Sequence, residues 1–98
     1  RKGHIRVDIK AAIGECEVLC QLAEEASELA QAALKLRRAL DRTNPTPVPK
    51  SEARERLNEE FADVIVCMTV LFKSWKNIQN TVDAKMKRWE ERLRDAAT

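Results

Sequence analysis

The sequence predicts an all-α protein, and two observations support this prediction. The 98 residues include only two glycines and three prolines, while hydrophobic residues make up 44% and charged residues 35% of the chain. Apolar residues recur every three or four positions over three long stretches, which is the period of an amphipathic helix. A chain of this length suits one small domain. We therefore expect residues 1–98 to form a single helical bundle of three long helices after a short N-terminal segment.

The N-terminal segment has no clear period, and Val7, Ile9 and Ile13 fit either a short strand or a helical turn. The first long helix is expected over residues 15–42, where seven apolar residues alternate spacings of three and four. Because this spacing follows one helical face, we expect the line to be buried along its length. We name it the leucine stripe, and its members are Leu19, Leu22, Ala26, Leu29, Ala33, Leu36 and Leu40.

A proline-rich linker at about residues 43–50 separates the first long helix from the second. Its three prolines lack an N–H and fix their own backbone, so the helix cannot continue through them. We expect Ser51 to be the N-cap of the second helix, ahead of a charged first turn. Residues 64–72 are apolar except for Thr69, so this helix is expected to be buried on nearly every side. Its apolar stripe is Leu57, Phe61, Val64, Met68, Leu71 and Trp75.

A third long helix is expected over residues 78–96, after a break near Lys76. From residue 73 onward the sequence contains seven lysine and arginine residues but only four acids, so this helix is basic. The whole chain nevertheless has a net charge of only +2, which argues against a general nucleic-acid or membrane binder. The apolar positions of the third helix are Ile78, Val82, Met86, Trp89 and Leu93.

Three amphipathic helices expose more apolar surface than one chain of this size readily covers. We therefore expect a second chain to complete the bundle, in a homodimer or a homotetramer. No stretch reaches the ~18 consecutive apolar residues of a membrane span. The three cysteines are expected to be small reduced core residues of a cytoplasmic protein. A zinc site of His4 with Cys16 and Cys20 stays open as an alternative, although its ligand spacing is not a usual one.

Two acidic clusters on the first two long helices are the strongest functional signal. One consists of Glu24, Glu25 and Glu28, and the other of Glu60 and Asp63. Acids three or four residues apart share a helical face and repel each other, which weakens an isolated helix. Solvated acids that pair with lysine and arginine are the alternative. A cation between the two helices explains the pattern better, because it would neutralise several carboxylates at once.

Helical geometry places these acids on lines beside the main stripes. At about 100° per residue, Glu25 and Glu28 fall roughly a quarter-turn from the leucine stripe, whereas Glu24 points further outward. Asp63 directly precedes the apolar run, and the nearest basic residue, Arg56, lies roughly two turns back. We therefore expect Asp63 to be the acid that most needs a compensating charge. Oxygen ligands without histidine or cysteine favour Mg²⁺, with Mn²⁺ as a substitute.

In these two acidic motifs, the chain resembles the MazG-type all-α nucleoside triphosphate pyrophosphohydrolases. That superfamily also includes all-α dUTPases and phosphoribosyl-ATP pyrophosphohydrolase. Its signature, EExxE followed one helix later by ExxD, is matched by residues 24–28 and 60–63, and the resemblance extends over residues 14–92. The resemblance implies hydrolysis between the α- and β-phosphates, giving the nucleoside monophosphate and pyrophosphate, as housekeeping of the nucleotide pool.

The resemblance also implies roles for individual residues. Glu24 would be an auxiliary carboxylate near a second ion or the attacking water, and either Glu24 or Glu25 would be the general base. The implied ligands of Mg²⁺ are Glu25, Glu28, Glu60 and Asp63.

The last helix matches the family pattern KxxxNxxR in part. Lys85 and Arg92 stand at the two ends of the pattern, but Trp89 stands where Asn is usual. Lys85, Arg88 and Arg92 share one helical face, and we expect them to bind substrate phosphates. The alternative for this face is a solvated surface laced with local ion pairs.

A second class of function stays open beside the enzyme. The chain would then be a non-catalytic helical interaction module, or a nucleotide-binding module, with a structural metal ion. Replacing Glu28 or Asp63 by its amide would leave the function of such a module intact or only destabilise the fold, whereas an enzyme would lose pyrophosphate release.

Overall fold

The computed structural model describes residues 7–72 and 74–97, and most of these residues are helical. Four helices follow one another: α1 (Ile9–Ile13), α2 (Glu15–Asp41), α3 (Lys50–Leu71) and α4 (Lys76–Ala97). There is no strand in the described part of the chain, so the prediction of an all-α helical bundle is confirmed. None of these helices combines the length and the apolar content that crossing a membrane requires.

The start of α2 is set by Gly14. Asp8 caps α1 by accepting a hydrogen bond of 3.1 Å from the backbone N–H of Ala11. Gly14 then has a φ of +90°, which L-residues rarely adopt, and this turn separates α1 from α2. Apart from its two chain neighbours, nothing would lie within 4 Å of a Cβ at this position, so glycine is favoured there by the backbone angle and not by a lack of space.

The start of α3 differs from the prediction. The helix begins at Lys50 with Pro49 as its N-cap residue, so Ser51 lies inside the first turn and does not cap. The predicted N-cap at Ser51 is therefore wrong. The physical reason is that proline removes a backbone N–H which would have no partner, and fixes a φ that suits helix entry.

α2 and α3 pack against each other as an antiparallel hairpin. At the linker end, Leu36, Ala39 and Ala53 form a buried cluster, and Val48 and Leu57 pack against it. Two of the three buried residues are alanines, whose small side chains let the helix backbones approach each other. The end of α2 thus meets the start of α3, which fixes the pairing of the two helices along their length.

Most of the buried and half-buried residues of α2 and α3 follow a regular spacing of four and three, the exceptions being Arg38, Met68 and Val70. We name the two lines together the seam. One glutamate stands in each line, among residues that are otherwise apolar or cysteine. The line on α2 is Val18, Leu22, Glu25, Leu29, Ala32, Leu36 and Ala39. The line on α3 is Ala53, Leu57, Glu60, Val64, Cys67 and Leu71.

The prediction that the whole leucine stripe is buried is wrong. Leu19 and Leu40 are 49% and 44% exposed, and the stripe shares only Leu22, Leu29 and Leu36 with the seam. α2 has apolar residues on two adjacent lines. Periodicity alone does not decide which of two such lines faces the neighbouring helix.

α3 is not covered on all sides within one chain, because Phe61 and Ile65 are exposed. At about 100° per residue they lie roughly a quarter-turn from the seam, on the same side of the hairpin as Leu19 and Leu40. We name these four residues the apolar face. The prediction that a second chain covers this helix stays a prediction.

α4 lies apart from the other helices. No Cα atom of α4 comes within 8 Å of a Cα atom of α1, α2 or α3. Its apolar residues Val82, Met86, Trp89 and Leu93 are all exposed. The radius of gyration is 18.0 Å, against about 13 Å for a compact domain of this length. The described part of the chain therefore does not cover two large apolar surfaces, which are the apolar face and the exposed apolar residues of α4.

Candidate metal centre

Three carboxylates converge midway along the seam, since oxygens of Glu25, Glu60 and Asp63 all lie within 4.8 Å of one another. Glu28 is outside this converging group, but its carboxyl group is near enough to Glu60 to raise the pKa of Glu60. We name these four residues the acid cluster. α2 and α3 each supply two of them, and the antiparallel pairing of the helices brings them to one level.

Burial within the acid cluster is uneven. Glu60 is only 6% exposed and Glu25 is half-buried, whereas Glu28 and Asp63 are exposed. The prediction that Asp63 is the acid set against the apolar interior is therefore wrong. Glu60 occupies the seam, and Asp63, three residues later, is rotated by about 60° toward its edge. Glu60 is the acid that most needs compensation.

Two oxygens of the acid cluster lack a hydrogen-bond partner while the carboxylates are ionised. These are Glu25 Oε2 and Glu60 Oε2, for which the described residues provide no donor. A buried carboxylate oxygen without a donor is unfavourable, because it has lost water and gained nothing in exchange. The other oxygen of Glu60 has a partner, since its Oε1 lies 3.0 Å from Nε of Arg56.

The surroundings raise the pKa of two carboxyl groups in the acid cluster. Burial raises the pKa of Glu25, and the charges of Glu28, Asp63 and Glu60 raise it further. Burial also raises the pKa of Glu60, as does the neighbouring carboxyl group of Glu28, while the charge of Arg56 lowers it. The ionised cluster thus carries a repulsion that either protons or a cation would relieve.

The donor set suits a hard divalent cation. Every candidate ligand atom is a carboxylate oxygen, the type that Mg²⁺ and Mn²⁺ prefer. Ligand oxygens around an octahedral Mg²⁺ lie about 3 to 4 Å apart. Oxygens already within 4.8 Å of one another need only small side-chain movements to reach that spacing. The two unpaired buried oxygens add a second argument for the same site.

The other predicted site residues are not part of the acid cluster. Glu24, which directly precedes Glu25, is exposed on α2 and is not among the converging carboxylates. Lys85, Arg88 and Arg92 are exposed on α4, which does not pack against α2 or α3. One chain by itself therefore does not bring the three basic residues to the acid cluster, and the roles of all four residues stay predictions.

The cysteines are free thiols, as predicted. Cys67 is half-buried in the seam, but Cys16 and Cys20 are exposed, so the prediction that all three lie in the core is wrong for these two. Burial raises the pKa of the Cys67 thiol, and the carboxylates of Glu25 and Asp63 add to this effect. The alternative zinc site also requires His4, which lies outside the described residues.

Sequence reasoning missed Arg56 because it looked for a partner to Asp63. The relevant acid is Glu60, four residues after Arg56, and that spacing on a helix is the signal that would have found the pair. Arg56 also lines a groove of about 710 Å³ that begins at Glu28 and continues past Lys35 and Arg38. The acid cluster therefore adjoins a charged groove on the side of the hairpin opposite the apolar face.

Comparison of the chain with models of protein families, with curated protein sequences and with solved structures found no match. The resemblance to the MazG-type enzymes therefore rests on the two acidic motifs themselves. Function is best argued from the acid cluster and from the residues that adjoin it.

Proposed function

We propose that the protein is a Mg²⁺-dependent nucleoside triphosphate pyrophosphohydrolase that releases the nucleoside monophosphate and pyrophosphate. One observation supports this proposal above the others: Glu25, Glu60 and Asp63 converge in a seam where two of their oxygens lack partners. The two halves of the EExxE and ExxD signature thus contribute to one site. A cytoplasmic role in nucleotide-pool housekeeping belongs to the same proposal.

The acid cluster would hold the cation, which is Mg²⁺ or its substitute Mn²⁺. When bound, the cation would neutralise the carboxylates and offset the charge that develops on the phosphates during cleavage. Glu25 would act as a ligand or as the general base, but one oxygen could not bind the cation and accept a proton at the same time. Glu24, one residue earlier and outside the converging group, stays free to accept the proton of the attacking water.

The proposal includes a homodimer or a homotetramer. It is supported by the exposed apolar face, by the exposed apolar residues of α4 and by the radius of gyration of 18.0 Å. Because α4 does not reach the hairpin within one chain, assembly would have to bring Lys85, Arg88 and Arg92 near the phosphates.

A product assay tests the proposed activity. Standard and modified nucleoside triphosphates are incubated with the protein and Mg²⁺, and pyrophosphate and orthophosphate are measured separately. We expect pyrophosphate and monophosphate in equal amounts, lost in Glu60→Gln and Asp63→Asn while the helical circular dichroism signal persists. Glu59→Gln, an exposed neighbour on the same helix, is the matched control and should keep full activity.

Two results of this assay would reject the proposal. Orthophosphate as the first product would rule out cleavage between the α- and β-phosphates. Nucleotide binding without any product would instead favour the non-catalytic module, whose acids serve a structural ion.

A further inference from the structure

Arg56 and Glu60 form an ion pair between an exposed and a buried side chain. Nε of Arg56 lies 3.0 Å from Oε1 of Glu60, and the two side chains are 64% and 7% exposed. The second oxygen of Glu60, Oε2, is buried without a partner. One oxygen of the carboxylate is thus fixed from the groove side, while the other is left unbound inside the seam.

We propose that Arg56 is a positioning residue of the cation site. It holds Glu60 by Oε1, so that Oε2 remains available to a divalent cation bound with Glu25 and Asp63. This inference rests on the cation site of the proposed function, and it adds a residue that neither half of the acidic signature contains.

The geometry explains why such a residue is useful. A glutamate has three rotatable side-chain bonds, and ordering them costs conformational entropy each time a cation binds. Arg56 stands one helical turn before Glu60 on the same helix, so the backbone itself sets their separation. Outer partners that orient a ligand in this way commonly contribute to metal affinity.

Removing Arg56 would change the affinity for the cation in two opposite ways, and this makes the proposal testable. The positive charge of Arg56 repels a cation, so charge alone predicts that its removal tightens cation binding. Positioning predicts the reverse. Arg54 offers the matched control, because it is exposed on the same helix with the same charge and takes part in none of the described ion pairs.

The experiment is a titration with Mn²⁺ alone, without nucleotide, in which free Mn²⁺ is followed by electron paramagnetic resonance. The proteins are the wild type, Arg56→Gln, Arg56→Lys and Arg54→Gln, each checked for helical circular dichroism. We expect Arg56→Gln to weaken Mn²⁺ binding about tenfold or more. Arg56→Lys, which keeps a donor and the charge, should fall between Arg56→Gln and the wild type, and Arg54→Gln should match the wild type or bind slightly more tightly.

An affinity of Arg56→Gln equal to or tighter than that of Arg54→Gln would overturn the positioning role and leave the cation site standing. A wild type that binds no Mn²⁺ would overturn the cation site itself and the role of Arg56 with it. If Arg56→Gln loses its helical signal, Arg56→Lys decides: weaker binding than the wild type supports the role, and equal binding overturns it.

Discussion

Glu25 of α2 and Asp63 of α3 meet across the hairpin, with carboxylate oxygens within 4.8 Å of each other. Two ionised carboxylates have no proton to donate, so such a pair can form a hydrogen bond only when one of the two is protonated. Glu28 lies near Glu60 and raises its pKa, as Asp63 raises the pKa of Glu25. Protons and a divalent cation therefore compete for the same oxygens.

The stability of the metal-free protein should depend on the acid cluster in a defined direction. The pKa values of Glu25 and Glu60 are raised above the ordinary value of 4.5 in the folded protein. Above pH 4.5 the folded chain thus binds more protons at these two groups than the unfolded chain does. Their contribution to stability is fully present below that pH and is lost as the pH rises through the raised values.

Urea unfolding in EDTA, from about pH 4 to pH 8, measures this dependence. The control is the double variant Glu25→Gln with Glu60→Gln, which should lack the loss. Excess Mg²⁺ should restore the stability of the wild type near neutral pH. A wild type that gains stability over this range relative to the double variant, in EDTA, would contradict the prediction.

Neutralising Glu60 alone should stabilise the protein in EDTA and remove its response to Mg²⁺. Glutamine at this position retains a carbonyl oxygen and loses the buried charge, whose burial is unfavourable. Thermal unfolding of Glu60→Gln is compared in EDTA and in MgCl₂. Glu59→Gln should behave as the wild type in both. Equal stabilisation of Glu60→Gln and wild type by Mg²⁺ would show that Glu60 is not a ligand.

Leu36 should contribute more to stability than a leucine two residues away. It is 8% exposed and packs against Ala39 and Ala53, whereas Leu34 is 53% exposed. We expect Leu36→Ala to lower the free energy of unfolding by about 2 to 5 kcal/mol, and Leu34→Ala by less than about 1 kcal/mol. Urea unfolding at one fixed protein concentration checks this. Equal losses would mean that the seam does not run as described.

A charge on the apolar face should dissociate the oligomer. Phe61 is exposed on that face, so Phe61→Glu would bury a charge in the expected contact between chains. Sedimentation velocity at micromolar concentration should show a dimer or tetramer for the wild type and a monomer for Phe61→Glu. Gln31→Glu adds the same charge in the groove and should not change the assembly. A well-folded wild-type monomer would refute the expected assembly.

Cys67 should report cation binding through its reactivity. Only the thiolate reacts quickly with iodoacetamide, and burial with the nearby Glu25 and Asp63 raises the pKa of Cys67. Cys67 should therefore be alkylated more slowly than the exposed Cys16, as measured by mass spectrometry. Mg²⁺ should speed the reaction of Cys67 by offsetting the two carboxylates, and should leave Cys16 unchanged. No change at Cys67 on addition of Mg²⁺ would count against an ion beside these carboxylates.

The sequence predicted which acids share a helical face, because spacing within a helix is a local property. It did not predict that Glu60, and not Asp63, is the buried acid. That outcome depends on how far each helix is rotated about its own axis, and apolar residues on adjacent lines leave the rotation open. The same ambiguity explains why Val18 is buried while Leu19 beside it is exposed.

The sequence also predicted α4 as a helix and gave no indication of where it lies. Its period is clear, with Val82, Met86 and Trp89 on one face, and a helix follows from that period alone. Its position depends on which apolar surface it meets. Two such surfaces remain exposed in the single chain, so nothing local in the sequence distinguishes between them.

The seam has one further consequence. Its alternating spacing of four and three is that of a coiled coil, in which each successive pair of facing positions normally adds apolar contact. Glu25 and Glu60 take up positions where leucine would fit the pattern, so the hairpin forgoes part of the stability its length could provide. Selection for stability alone would replace both glutamates. A purely structural role therefore does not explain why the hairpin has glutamates at these two positions.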